Sequence, residues 1–445
     1  MKHGWRIQKL GDLFEFKYGK GLIAEHRHVD GSVKVYGSNG IIGRHSHSLS
    51  KGPTVLVGRK GSVGEVHFSS SACWPIDTTY YVDEFPDGFP LKYWAFYLKS
   101  LRLGTHDKSS AIPGVSRKDI YGIEVPVPSP AEQHRIVAKL EKLLAKVEEC
   151  QERLNKIPAL LKRFRQSVLA AACSGRLTSD LRRQNEGSVD SYYSQEALFN
   201  FPPLPETWRW EPLAAVCEKI VDCPHSTPKW TNSNLGRLCV RTTNFKPGFL
   251  DLAEVRYVSN ETFMKRFERL KPHPGDILYS REGGILGIAC MIPKGVELCL
   301  GQRMMLFRPN HNFTGALLMH WLNSPVILHR VQELIGGSAA PHLNVKDIKN
   351  FPTPVPPLVE QQEIVRRVEA LFKIADQIEE RYRKAKAYID KLIQSILAKA
   401  FRGELVPQDA NDEPASVLRE RIHASKNADP SNRQSLHPRK ARIKR

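Results

Sequence analysis

The chain has 445 residues, 41% of them hydrophobic, with 66 Lys and Arg against 47 Asp and Glu, a formal net charge of +19. The length points to about three modules with proper cores, and the charge favours a polyanionic partner, nucleic acid ahead of an anionic membrane surface. No apolar run is long enough to span a bilayer and Met1-Lys2-His3-Gly4-Trp5 is not a signal peptide, so the expectation is a cytoplasmic protein with no membrane partner.

Residues 1–127 read as a first α+β domain. Short β-rich runs at Val33–Tyr36, Thr54–Val57, Val63–Phe68 and Thr78–Val82 are separated by Gly, Ser and Asn turns, and an aromatic helix is expected near Leu91–Leu101. Residues 128–177 read as a long helix. Ser129 is its N-cap, Pro130 its first position and Glu132 the partner in a capping box; Gly175 is the stop signal. Pro158 interrupts this helix and is expected to kink it. Residues 178–203 form a polar linker ending in Pro202-Pro203, and residues 204–355 form a second domain. Residues 356–405 read as a second long helix, with Glu360 at the positive end of its dipole and Gly403 as its stop. Residues 406–445 are a basic tail, expected to be disordered.

The two helical segments are one segment used twice. Moving residues 128–177 forward by 228 positions, without a gap, lays Glu132-Gln133 on Glu360-Gln361, Ile136-Val137 on Ile364-Val365, Gln166-Ser167 on Gln394-Ser395, and Gly175 with Leu177 on Gly403 with Leu405. Both copies carry apolar residues at alternating steps of four and three, the heptad of a coiled coil. In the first copy the seam is Ile136, Leu140, Leu143, Val147, Cys150, Leu154, Ile157, Leu161, Phe164 and Val168. In the second it is Ile364, Val368, Leu371, Ala375, Ile378, Tyr382, Ala385, Ile389, Leu392 and Ile396. Copies far apart in one chain can pair antiparallel, as a rod of roughly 65 Å.

The domains echo each other at their edges. Gly4-Trp5-Arg6 with Leu10 resembles Thr207-Trp208-Arg209 with Leu213; Arg59-Lys60-Gly61 with Gly64 resembles Arg281-Glu282-Gly283 with Gly287; Lys118-Asp119-Ile120 resembles Lys346-Asp347-Ile348. Their interiors differ. The fold class is thus α+β: two α/β domains separated by two long helices in an antiparallel coiled coil, with an internal pseudo-two-fold duplication.

Active-site signatures are missing. There is no phosphate loop, no Asn/Asp-Pro-Pro-aromatic tetrad, no His-Glu-x-x-His and no acidic nuclease cluster. Gly58, Gly61 and Gly64 read as tight strand turns. The eight cysteines include no C-x-x-C pair, so buried reduced thiols are expected, with no metal site. The expectation is a binding and assembly protein, not an enzyme.

Basic and polar loop residues are the candidate DNA contacts. Arg59, with Lys60, and Arg281 occupy matched glycine-bracketed turns in domains whose interiors differ, which favours phosphate positioning or a structural role over base readout. Base readers belong where the domains differ. In the first domain Arg44, His45, His47, Lys108 and Ser109 fit; in the second His225, Lys229, Trp230, Asn232, Asn244, Gln302 and Arg303 fit. Arg117, Lys118 and Lys346, beside the Ser-Ala-x-Pro turns, suit backbone phosphates, and the basic tail adds non-specific attraction.

The layout resembles the specificity (S) subunit of type I restriction–modification systems. The matching residues are Tyr36-Gly37-Ser38-Asn39-Gly40, Val57-Gly58-Arg59-Lys60-Gly61-Ser62-Val63-Gly64 and Trp74-Pro75-Ile76-Asp77-Thr78 in the first domain. In the second they are Thr227-Pro228-Lys229, Arg241-Thr242-Thr243-Asn244 and Gly275-Asp276-Ile277-Leu278-Tyr279-Ser280-Arg281-Glu282-Gly283. Each helix opens with a proline-rich lead into Glu-Gln-x-x-Ile-Val. The resemblance covers nearly residues 1–405. It implies two target recognition domains, each reading one half of a bipartite asymmetric double-stranded DNA site in phage defence. It also implies that the helices dock two methyltransferase (M) subunits, that restriction/translocase (R) subunits join for cleavage, and that S-adenosylmethionine, ATP and magnesium belong to those partners. Two rival readings are a fused restriction–methylation enzyme, which would carry the missing tetrad, and a structural coiled-coil DNA-binding protein without methyltransferase partners.

Overall fold

The computed structural model describes residues 5–27, 30–85, 90–106, 116–186, 192–193, 203–231, 236–336 and 341–413. The chain divides into two compact units, Met1–Asn155 with Lys384–Arg445, and Lys156–Arg383. Each unit therefore holds one globular domain and parts of both repeated helical segments.

In the first unit a four-stranded antiparallel sheet has the order Lys17–Tyr18, Thr79–Val82, Thr54–Gly58, Val66–Ser69. A smaller sheet sets Val33–Gly37 between the antiparallel Gly40–His45 and the parallel Trp74–Pro75. The expected strands form with small shifts; Val63 lies in the turn before Val66–Ser69. The aromatic helix is Leu91–Ser100, and its Tyr93, Trp94 and Leu98 are buried in the main core. Arg6–Lys9 pairs antiparallel with Glu124–Val127, bringing the ends of the domain together beside the first long helix.

The second unit repeats this topology with different side chains. Its four-stranded sheet runs Cys217–Asp222, Met304–Pro309, Ile277–Ser280, Ala289–Met291, all antiparallel. Its second sheet again contains one parallel pair, Arg237–Val240 with Leu298–Leu300. Arg209–Pro212 pairs with Pro352–Val355 as Arg6–Lys9 does with Glu124–Val127. The sequence resemblance at the domain edges thus extends to strand order inside, where residue identity has drifted.

The first helical copy is two helices, Pro130–Asn155 and Ile157–Cys173, so the expected kink is a break. Pro158 sits in the first turn of the second piece, where its missing N–H costs little. The second copy is one helix, Leu358–Phe401, of 44 residues. Gly175 and Gly403 both take left-handed backbone, φ +75° and +74°, and end their helices as expected.

Within the second unit the helices run antiparallel. Arg165 reaches Asp376 at 2.8 Å and Thr178 Oγ1 donates to Glu360 at 2.7 Å, so partners fall as numbers rise; Asp180, in the next helix, pairs with Arg367. Val168, Leu169, Ile364 and Val368 are buried there in one cluster, with Leu371 half-buried against it. In the first unit Ile136 and Leu140 share the core with Leu397, Ala400 and Phe401.

Three expectations need correction. The linker does not begin at residue 178: Arg176–Thr178 is a 3₁₀ turn and Ser179–Glu186 an α-helix, tied down by Asp180 and Arg182. The tail does not begin at residue 406. Val406 is buried, and Asp412 accepts from Ser129 Oγ at 3.1 Å and pairs with Arg135. The rest of the expected tail, residues 414–445, lies outside the described residues. The strict heptad also overstates the seam. Ile136, Leu140, Val147, Leu161, Ile364, Val368 and Ile389 are buried, and Leu143, Leu154, Leu371 and Ile396 half-buried, but Phe164, Ile378 and Leu392 are exposed, as is Cys150. A straight α-helix drifts about 20° per heptad from a 3.5-residue line, so the buried face passes to neighbours such as Leu397.

Candidate nucleic-acid interface

Matching clasps join each domain to its helix. Trp5 Nε1 donates to Glu132 Oε2 at 2.9 Å, and Trp208 Nε1 donates to Glu360 Oε2 at 2.8 Å. Ser129 Oγ caps the first helix by accepting from Glu132 N. The Glu132 carboxylate, expected from sequence to close a capping box, reaches the domain through Trp5. Beside each glutamate, Gln133 and Gln361 donate to the carbonyls of Pro128 and Pro356.

In the first domain the candidates lie along a run of contacts. His45 packs edge-on to Trp74 at 5.1 Å and donates through Nδ1 to the His26 carbonyl; His47 lies 5.7 Å from His45. Arg44 is exposed beside Gly31. Trp74 Nε1 donates to the Lys20 carbonyl, and Lys20 N to that of Pro75, in the turn that carries Asp77. Arg59 Nη1 donates to the Asp77 carbonyl at 2.9 Å. Its guanidinium lies 5.2 Å from the Tyr18 ring centre, and that of Arg117 lies 4.8 Å from the same ring. The turn holding Arg59 needs its glycines: a side chain on Gly64 would lie 2.1 Å from Gly104 N. Lys60 and Lys118 are exposed nearby in sequence. Lys108 and Ser109 lie outside the described residues.

The second domain gathers His225, Gln302 and Arg303. Gln302 Nε2 donates to the His225 carbonyl, and Thr227 Oγ1 donates to Gln302 Oε1. His225 Nε2 lies 3.1 Å from Asp222. Arg303 is exposed with φ +67°, a rare backbone state for a residue other than glycine. Trp230 is half-buried with Arg256 5.3 Å from its ring; Lys229 and Lys346 are exposed, and Asn232 lies outside the described residues.

Two candidates are structural. Arg281 is 8% exposed and pairs with Asp222 at 3.0 Å and Glu282 at 2.6 Å, while donating to the Leu343 carbonyl. Its charge is neutralised inside the domain. Asn244 is buried, and its Oδ1 accepts from Arg241 N to cap a 3₁₀ turn. Neither presents a free edge to a base. Tyr18, Trp74 and Asp222 are not among the candidates that the sequence marks, and the aromatic neighbours of Tyr18, Phe14 and Phe16, are buried in the core.

Six of the eight cysteines are buried; Cys217 is half-buried and Cys150 exposed. Among the described residues no helix is long and apolar enough to cross a membrane.

Two domains of one topology, each clasped to a repeated helix and each carrying basic and aromatic loops, define a duplicated DNA-recognition scaffold. Residues 2–159 and 229–386 match the type I restriction modification DNA specificity domain, and the chain belongs to the specificity subunits of type I restriction–modification systems. It is 29% identical to the EcoDI specificity subunit of Escherichia coli over 95% of this chain and 96% of that one. To the EcoBI specificity subunit of Escherichia coli it is 33% identical, over 75% and 70%. A solved chain from work on complex assembly and conformational transition of the type I R-M system shares the fold, with TM-score 0.66 and 18% identity over 91% of this chain and 99% of that one.

Proposed function

We propose that each domain reads one half of a bipartite, asymmetric DNA target while the helices dock two methyltransferase subunits, with restriction/translocase subunits joining for cleavage. The observation that carries this reading is the pairing of matching Trp–Glu clasps with unlike loops. Trp5–Glu132 and Trp208–Glu360 hold the domains alike, while the surfaces around His45 and His225 share no residue pattern. Like helices suit like partners; unlike loops suit unlike half-sites.

The exposed helix residues support docking at two equivalent places. Leu160 and Phe164 are 57% and 37% exposed in the second unit; Tyr388 and Leu392, at the same positions of the repeat, are 68% and 36% exposed in the first. The chain itself is a non-catalytic reader in this proposal. S-adenosylmethionine, ATP and magnesium sit on the partner subunits, and the assembly works in the cytoplasm against phage DNA.

The test is to co-express the chain with its methyltransferase and map modified adenines genome-wide. Exchange of residues 204–355 for a relative's domain is expected to change one half-site and keep the other. Change in both halves, or a continuous palindrome, overturns the two-reader scheme.

A further inference from the structure

Tyr18 is half exposed on an edge strand of the first domain, and two guanidiniums are stacked on it. Arg59 lies 5.2 Å from its ring centre and 5.9 Å from that of Tyr80; Arg117 lies 4.8 Å from Tyr18 and 5.9 Å from Tyr121. Tyr80 is buried and meets Tyr18 edge-on at 5.1 Å, so the platform is backed by the core. Each arginine is aimed by one backbone acceptor, Asp77 O for Arg59 and Phe16 O for Arg117. Among the described residues neither forms an ion pair with a carboxylate. Most of their N–H groups are therefore left for a ligand.

Two guanidiniums without a carboxylate partner on one ring raise the local positive potential, and an anion bound beside them lowers it. Their planar forks suit phosphate oxygens, and stacking on tyrosine restricts them beforehand, so little side-chain freedom is lost on binding. The second domain is built differently at the matched turn, where Arg281 is consumed by Asp222 and Glu282.

We propose that Arg59 and Arg117, stacked on Tyr18, form a clamp for a DNA backbone phosphate that the Arg281 turn of the second domain does not repeat. At this turn the two domains then meet DNA by unequal means. This rests on the DNA-reading function above.

Salt dependence of binding separates the possibilities. The full chain, in the complex it forms with its co-expressed methyltransferase, is titrated with a random-sequence duplex several helical turns long over a range of salt. Each lost phosphate contact lowers the magnitude of the log–log salt slope by about 0.9. Arg59→Gln with Arg117→Gln is expected to lower it by about 1 to 2, with the methylated target sequence unchanged. Tyr18→Ala, which keeps both charges and removes the platform, is expected to weaken binding with a smaller change in slope. Arg281→Gln is expected to lower the melting temperature and leave the slope alone. An unchanged slope in the double variant, or a target relaxed at a particular base, overturns the clamp. Absence of DNA binding by the unsubstituted complex overturns the underlying reading as well.

Discussion

Trp208 donates its indole N–H to Glu360 Oε2 while Thr178 and Arg182 occupy the other carboxylate oxygen. The matched Glu132 takes Trp5 through Oε2. The clasp of the second unit also carries a buried ion pair, Arg182 with Glu360. Arg182 also lies 5.9 Å from the Trp208 ring.

Glu360→Ala is expected to cost about 3 to 5 kcal/mol, because it breaks a buried ion pair and strips the Trp208 indole and Thr178 hydroxyl of their acceptor. Glu132→Ala is expected to cost less, about 1 to 3 kcal/mol. Denaturant unfolding followed by tryptophan fluorescence compares them. Equal losses would show that the additional bonds to Glu360 contribute nothing net.

The exposed apolar pairs make a stoichiometric prediction. Leu160→Glu and Tyr388→Glu place charge on surface positions and are expected to leave the melting temperature almost unchanged. Each is expected to release one of two methyltransferase copies, read by native mass spectrometry, and the double variant to release both. Retention of two copies in the double variant would move the docking surface elsewhere.

His320 supplies a pH dependence. It is buried in the helix Gly315–Leu322, edge-on to Phe372 at 5.8 Å, and burial pushes its pKa down to about 4 from 6.5. The unfolded chain then binds a proton that the folded chain refuses. Stability is complete above pH 6.5 and falls as pH drops from 6.5 towards 4, by about 3 kcal/mol at the limit. His320→Phe is expected to flatten the melting temperature over that window. A variant with the same acid profile as the parent would place the sensitivity on other groups.

The duplication was legible because helix seams and edge motifs are local patterns. Glu132 and Glu360 stand at the same place in both copies, and each proved to hold a tryptophan. The shared sheet order was not legible, since Thr54–Gly58 and Ile277–Ser280 retain position without retaining residues. Burial along the helices was legible only in part. A periodicity marks an apolar stripe but does not distinguish Leu397, which packs inward, from Leu392, which stays outside. The site was harder again. Arg59 and Arg281 look equivalent in sequence, and only the distant Asp222 and Tyr18 decide that one is paired with a carboxylate and the other lies over a tyrosine ring.

The uninterrupted helix Leu358–Phe401 gives the two units different histories during synthesis. Residues 156–383 are contiguous, so the second unit has all its parts once residue 383 has left the ribosome. The first unit draws Leu397, Ala400, Phe401 and Asp412 from beyond that point. The domain made first is therefore completed last, and its core, opened where those residues belong, waits through the emergence of its sibling. A stop codon between residues 384 and 396 would leave the second unit whole and unmake the amino-terminal one, the reverse of what position along the chain implies.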